Sequence, residues 1–387
     1  MKSLKSQFPA AKGVHNLDAA ATGLLPTAVI EAVNKYWTES GATAGRSPYR
    51  KSIVATKLVE ESRQTIADWF NVSFEETIFT PGATHSINWV AKGLDLEARD
   101  RILLTRADHH ANILPWMDLR AKGVELVWVG CNRNGVIDVE DFRKKCFGCK
   151  VAAFSGASNV TGAIQPIKEL SEIARDNGAI SVIDAAQLAS HERIDFKSVG
   201  CDFMAVAGHK MMAPKGLGLL LGRKEAFEQL KPTIVGGGVV ADVTEEGYKL
   251  LPKPLEYESG TQSLEGIIGL AEAIRWTKAN NADEIEKRLK YYDKELCNLL
   301  KKMDVEILHP EHSTPTVSII LKDKDPIEIG RKLDETANVQ VRAGFLCAMP
   351  FLKWIGASKG VMRISFGPWC DDDDLAAFCE WFEKIIV

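Results

Sequence analysis

The chain lacks any apolar run approaching the ~18 residues needed to cross a membrane, so no membrane-spanning segment is expected. It also lacks a charge excess of either sign. Acidic residues number 52 against 48 basic ones, a balance that gives nucleic acid no electrostatic reason to bind. The first residues, MKSLKSQFPAAKG, contain no apolar stretch resembling a signal-peptide core, so export is not expected. Cysteine is sparse as well: eight in 387 residues do not make a disulfide framework, which fits a reducing cytoplasm. Cys146 and Cys149 form a lone CxxC in KKCFGCK, with no second pair or histidines at matching spacing nearby, so the pair reads as structural and no metal site is expected. Internal repeats and low-complexity tails are missing too.

What is present is length enough for a large core and a regular alternation of patterns. Between about residues 75 and 225, the short apolar runs ETIFT, RILLT, ELVWVG, KVAAFS, ISVIDA, DFMAVA and GLGLLLG read as buried strands. Amphipathic stretches such as IKELSEIARDNG lie between several of them. That alternation implies βαβ units and a mostly parallel sheet covered on both faces. Ligands in such sheets bind beyond the carboxyl ends of the strands, so the following turns are where chemistry is expected. The Gly- and Pro-rich stretch from about 230 to 262 reads as a long irregular excursion. Helical patterns through LEGIIGLAEAIRWTKAN and ADEIEKRLKYYDKELCNLLKKM come next, and then strands (TPTVSIIL, VMRISFG) and helices (PIEIGRKLDET, DDDLAAFCEWFEKII) that suggest a smaller α+β unit. The acidic run at 371–374 reads as a helix N-terminus, where negative charge complements the dipole.

Two of the turns carry reactive residue types. His209 and Lys210 follow the strand DFMAVA and precede a Gly-rich turn; Asp184 ends the strand ISVID. A lysine desolvated at a strand end can form a Schiff base with an aldehyde, and a nearby carboxylate can keep a pyridinium nitrogen protonated. Near the far end of the chain, VRAGFLCAMP holds Cys347. Alone, that cysteine reads more readily as a small buried hydrophobe than as a nucleophile.

The segments TPGATHSIN, DHHANILPW, FSGASNVTGAIQPIKEL, VIDAAQ, AGHKMMAPKGLGLLLG, YESGTQS, VRAGFLCAMP and MRISFGPW occur in this order. Together they resemble the class V aminotransferase-like enzymes that use pyridoxal 5'-phosphate (PLP), and in particular the group II (SufS-like) cysteine desulfurases. The likeness runs from about Leu17 to the C-terminus. It implies an α/β fold of the PLP-dependent transferase type I, with a large PLP-binding domain (residues 16–281) built on a mostly parallel seven-stranded sheet. Residues 1–15 and 282–387 would form the smaller domain carrying the cysteine loop. It also implies a homodimer with the active site at the subunit interface.

By the same resemblance, Lys210 would bond the cofactor, Asp184 would pair with its pyridine nitrogen, and Gln187 and Asn159 would lie near its phenolic oxygen. His109 would stack on the ring and move protons. The phosphate would sit at the helix start containing Ala83 and Thr84, with His209 nearby, and Thr261 would reach the phosphate of the partner subunit. Arg363 would clamp a substrate carboxylate through its planar fork of donors. Asn159, Arg342, Arg46 and Ala21 would complete the substrate side. Cys347 would attack the sulfur of L-cysteine and carry a persulfide to a protein sulfur acceptor, and a selenocysteine lyase acting on L-selenocysteine, with the same fold and cofactor, is one alternative. Another class V transaminase or lyase with Cys347 incidental is a second alternative.

Two features depart from the family pattern. Ala207 and Ala83 stand where hydroxyls are usual, which implies weaker phosphate retention. Phe345 and Leu346 stand where histidines often precede the cysteine. That leaves acid/base assistance to His109 or the substrate amine, with Arg342 the nearest cation in sequence to favour a thiolate, and it suggests a sticky loop for docking an acceptor.

Overall fold

The computed structural model describes residues 3–45 and 47–386. All seven apolar runs form strands of one sheet: β1 (Thr77–Thr80), β2 (Arg101–Thr105), β3 (Glu125–Val129), β4 (Val151–Ser155), β5 (Ile180–Asp184), β6 (Phe203–Ala207) and β7 (Gly218–Gly222). Their spatial order is β1-β7-β6-β5-β4-β2-β3. Only β7 runs antiparallel, to both of its neighbours. Every residue of β4 and β6 is buried, which explains why VAAFS and FMAVA are continuously apolar rather than alternating. One core lies on each face of this sheet, one around Phe142, Phe154 and Phe196, the other around Trp116, Phe203 and Phe227.

The chain steps from β2 outward to β3 and then returns to place β4 on the other side of β2. This reversal opens a crevice at the carboxyl ends of β2 and β4, the usual ligand position in open α/β sheets. Gly218 keeps the neighbouring edge tight. A Cβ there would lie 2.5 Å from the Cα of Gly82, in the turn leading out of β1.

A second sheet of four antiparallel strands comprises β8 (Glu306–Leu308), β9 (Thr316–Ile320), β10 (Arg342–Gly344) and β11 (Val361–Ser365), in the order β8-β9-β11-β10. The sequence patterns anticipate β9 and β11 but not the short β8 and β10. Phe8, Leu17, Val317, Ile364 and Phe378 share one core here, and His15–Asn16 pairs in parallel with Val339–Gln340. The acidic run does begin the last helix, at Asp372, but its member Asp374 is fully buried. Its carboxylate accepts from His15 Nδ1 at 2.8 Å and pairs with Lys5, so it ties the two ends of the chain together as well as facing the helix dipole. The stretch near 230–262 is more regular than its composition suggests, since Val240–Val243 and Tyr248–Leu250 form an exposed antiparallel hairpin.

No helix among the described residues is long and apolar enough to cross a membrane. All eight cysteines are free thiols. Cys146 and Cys149 are buried, and burial pushes both thiols up, that of Cys146 to about 12.

Candidate active site

Five strand ends of the large sheet and one turn of the second sheet converge on a cavity of about 870 Å3. Asp184, at the end of β5, is held by the backbone N–H of Ala186, which donates to its Oδ1 at 3.0 Å. His209 and Lys210 sit in the single 3-10 turn Gly208–Met211 that follows β6. Burial pulls the Lys210 ammonium down to about 8, even though the negative charge of Asp184 opposes the shift. Burial likewise holds the His209 imidazole down to about 4, so it is neutral near pH 7. Gly23 closes the back of this turn. Its N–H donates to the His209 carbonyl at 2.8 Å, and a Cβ there would come 3.0 Å from the Lys210 carbonyl. Only glycine lets the LDAAATG segment run this close.

His109 follows β2 and lines the same cavity. Its Nδ1 accepts from the Ala111 N–H at 3.0 Å, so its remaining proton resides on Nε2. Burial lowers its pKa to about 4, which keeps the ring neutral. Gln187 donates from Nε2 to the Ala20 carbonyl at 2.7 Å, while its Oε1 is buried without a partner. Asn159 is arranged alike: Nδ2 donates to the Leu346 carbonyl at 2.7 Å and Oδ1 has no partner. Two buried acceptors left open on one cavity wall mark a place for a donor supplied by a ligand.

Ala83 and Thr84 open the helix Ala83–Gly93, whose N-cap, Gly82, has no capping side chain. First-turn N–H groups have no partner inside a helix and suit an anion. Ala83 and Ala207 both line the cavity and offer no hydroxyl to it.

Arg363, in the middle of β11, is 3% exposed. One terminal nitrogen donates to the Asn159 carbonyl and the other to Asp18 Oδ1, each at 2.8 Å, while Nε has no partner. Burial lowers its pKa, and the Asp18 carboxylate counters the shift, so the group stays cationic. Arg342 lies opposite Arg363 on β10, exposed at the mouth of the cavity. Ala21 also lines the wall.

Cys347 is exposed on the same cavity. It occupies the tight turn Phe345–Ala348, closed by the Ala348 N–H donating to the Phe345 carbonyl at 2.8 Å. Phe345 and Leu346 do not stand free as the sticky surface their composition suggests. Both are half-buried against the cluster of Ala107, Val160 and Phe351.

Thr261 is absent from this wall. It lines a separate cavity of about 420 Å3 with Thr56, Arg63 and Glu258, where Arg63 and Glu258 form a buried two-bonded ion pair. Arg46 lies outside the described residues. Three residues overlooked in the sequence prove integral: Asp18, the partner of Arg363; His110, which touches the Cys347 turn; and Asp108. Asp108 is buried, accepts from the Ser155 N–H and the Asn112 amide, and is raised to about 7 by burial. The DHHAN motif held the signal for two of them, since polar residues beside a cavity histidine need partners of their own.

The aminotransferase class-V family matches residues 15–378. The probable cysteine desulfurase of Pyrococcus abyssi is 33% identical over 392 residues, covering 100% of this chain and 97% of that protein. That of Pseudomonas aeruginosa is 35% identical over 386 residues, covering 97% and 95%. Among solved structures, a cysteine desulfurase from Thermococcus onnurineus superposes with a TM-score of 0.96 at 33% identity, over 100% of this chain and 98% of that one. The cysteine desulfurase CsdA from Escherichia coli gives 0.91 at 28% identity, over 98% and 97%. The chain thus belongs to the aminotransferase class-V family.

Proposed function

We propose that this protein is a PLP-dependent cysteine desulfurase that moves the sulfur of L-cysteine onto Cys347 and releases L-alanine. The observation that carries this reading is one cavity holding an exposed thiol, a half-buried lysine of lowered pKa and a buried arginine.

PLP fits the residues on the wall. Gln187 Oε1 and Asn159 Oδ1 are the open buried acceptors, and the helix start at Ala83 and Thr84, with His209 beside it, suits the phosphate. When bound, PLP supplies an aldehyde that condenses with amines and a ring that takes up the electron pair left by a departing Cα proton. Asp184 would hold the proton on the ring nitrogen. His109, neutral and protonated on Nε2, can lie against the ring without repelling its positive charge.

Arg363 would orient the substrate through its α-carboxylate, using donors not taken by Asn159 and Asp18. Lys210 Nζ accepts the Cα proton, a task suited to an amine that is partly neutral near pH 7. The Cys347 thiolate then attacks the substrate sulfur. A sulfur–sulfur bond forms, the Cβ–sulfur bond breaks with its electron pair left on carbon, that carbon takes a proton, and the Lys210 ammonium returns a proton to Cα. Alanine and a persulfide on Cys347 result. Because Cys347 is exposed, a thiol of an acceptor protein can collect the sulfur, for iron–sulfur cluster assembly or related uses. Free thiols throughout are consistent with a cytoplasmic setting.

The PLP-loaded protein is expected to release alanine from L-cysteine, with matching sulfide when a dithiol reductant removes the persulfide. Alanine without sulfide would contradict the assignment.

A homodimer belongs to the same proposal. Trp37, Tyr49, Ile53 and Val54 each expose more than half their surface, beside the Thr56 and Thr261 cavity, and so do Val243 and Tyr248 of the hairpin. Thr261, remote from its own chain's cavity wall, is free to serve the partner's. Sedimentation is expected to give twice the chain mass, and a monomer at micromolar concentration would refute the pairing.

A further inference from the structure

The turn that presents Cys347 is conformationally expensive. Leu346 has φ of 49° and Cys347 of 54°, so both central residues are left-handed. Turns of this kind normally place Asn or Gly there, and other residues hold the conformation only when their surroundings impose it. Three hydrogen bonds from outside the turn do so. Asn159 Nδ2 donates to the Leu346 carbonyl at 2.7 Å. The backbone N–H of His110 donates to the Cys347 carbonyl at 2.8 Å. The ring of His110 reaches one step further, with Nε2 accepting from the Met349 N–H at 3.2 Å. His110 therefore grips the chain on both sides of Ala348. An accepting Nε2 must be unprotonated, and burial favours that state by lowering the imidazole's pKa.

We propose that His110 is a positioning residue that keeps the Cys347 turn in the conformation from which the thiol faces the cavity. Its neighbour His109 faces the same cavity, so one 3-10 turn, His110–Asn112 with His109 as its cap, registers the thiol against the ring-stacking side chain. This inference rests on reading Cys347 as the sulfur-accepting nucleophile. The competing role is purely structural, a cap on the short helix Met349–Trp354.

The test compares His110→Phe, which keeps a ring but no acceptor, with His110→Gln, whose carbonyl oxygen can replace Nε2. In the full-length PLP-loaded protein, His110→Phe is expected to lower kcat for persulfide formation about a hundredfold with KM changed less than about threefold, because misplaced reacting groups cost rate rather than affinity. His110→Gln is expected to stay within about fivefold of the parent on the same reasoning. In cofactor-free protein, iodoacetamide should alkylate Cys347 of His110→Phe at least about threefold faster than in the parent, reporting a loosened turn. Unchanged alkylation in His110→Phe, or a glutamine variant as slow as the phenylalanine one, would overturn the proposal. If the parent itself forms no persulfide, the desulfurase reading fails, and the alkylation comparison still decides whether His110 holds the turn.

Discussion

Cys347→Ala is expected to abolish alanine release from L-cysteine, lowering turnover by at least about 10^3-fold, as loss of a covalent nucleophile does. The visible absorbance of bound PLP and its response to added L-cysteine should persist, because Asp184, Lys210 and Arg363 are untouched. This split separates the proposal from that of another class V lyase with an incidental cysteine, in which alanine release would survive. Folding should survive as well. Cys347 is exposed, its carbonyl carries the bond to His110, and alanine keeps the backbone of the turn. Activity can be followed by alanine formation, and integrity by the melting temperature.

Lys210→Ala should be as damaging, by at least about 10^3-fold, and borohydride should no longer fix PLP to the protein. The native protein adds a pH test. Only the neutral amine attacks an aldehyde, and a lowered pKa enlarges that fraction on the alkaline side of about 8 rather than about 10.4, the ordinary lysine value. Capture of PLP by cofactor-free protein should therefore accelerate as pH rises through about 8 and run about fifty-fold slower at pH 6. A rise that begins only above pH 10 would mean that burial does not depress this lysine.

The large sheet was legible because its central strands are buried on both faces, which turns each into an apolar run bounded by polar turns. Strands β8 and β10 were not, since three residues such as RAG carry no period, and their pairing is decided by β9 and β11. The hairpin near Val240 was hidden in the same way by glycine, proline and exposed positions.

Within the site, Lys210 and Asp184 could be read because they lie at or just past a strand end, where topology directs side chains to the crevice, whereas His109 was found through the family resemblance. Residues whose roles depend on a partner far along the chain could not. Asp18 gains its meaning from Arg363, 345 positions away, and His110 from Met349, 239 positions away. Phe345 and Leu346 were misjudged for the same reason: their apolar character answers to Val160 and Phe351, which only the fold brings beneath them.

The most direct measurement is a single turnover. PLP-loaded protein is mixed with one equivalent of L-cysteine, quenched, digested and weighed by mass spectrometry. The account predicts one added sulfur, about 32 Da, on the peptide containing Cys347, with one equivalent of alanine released. Alanine without that adduct, or an adduct on another cysteine, would contradict it.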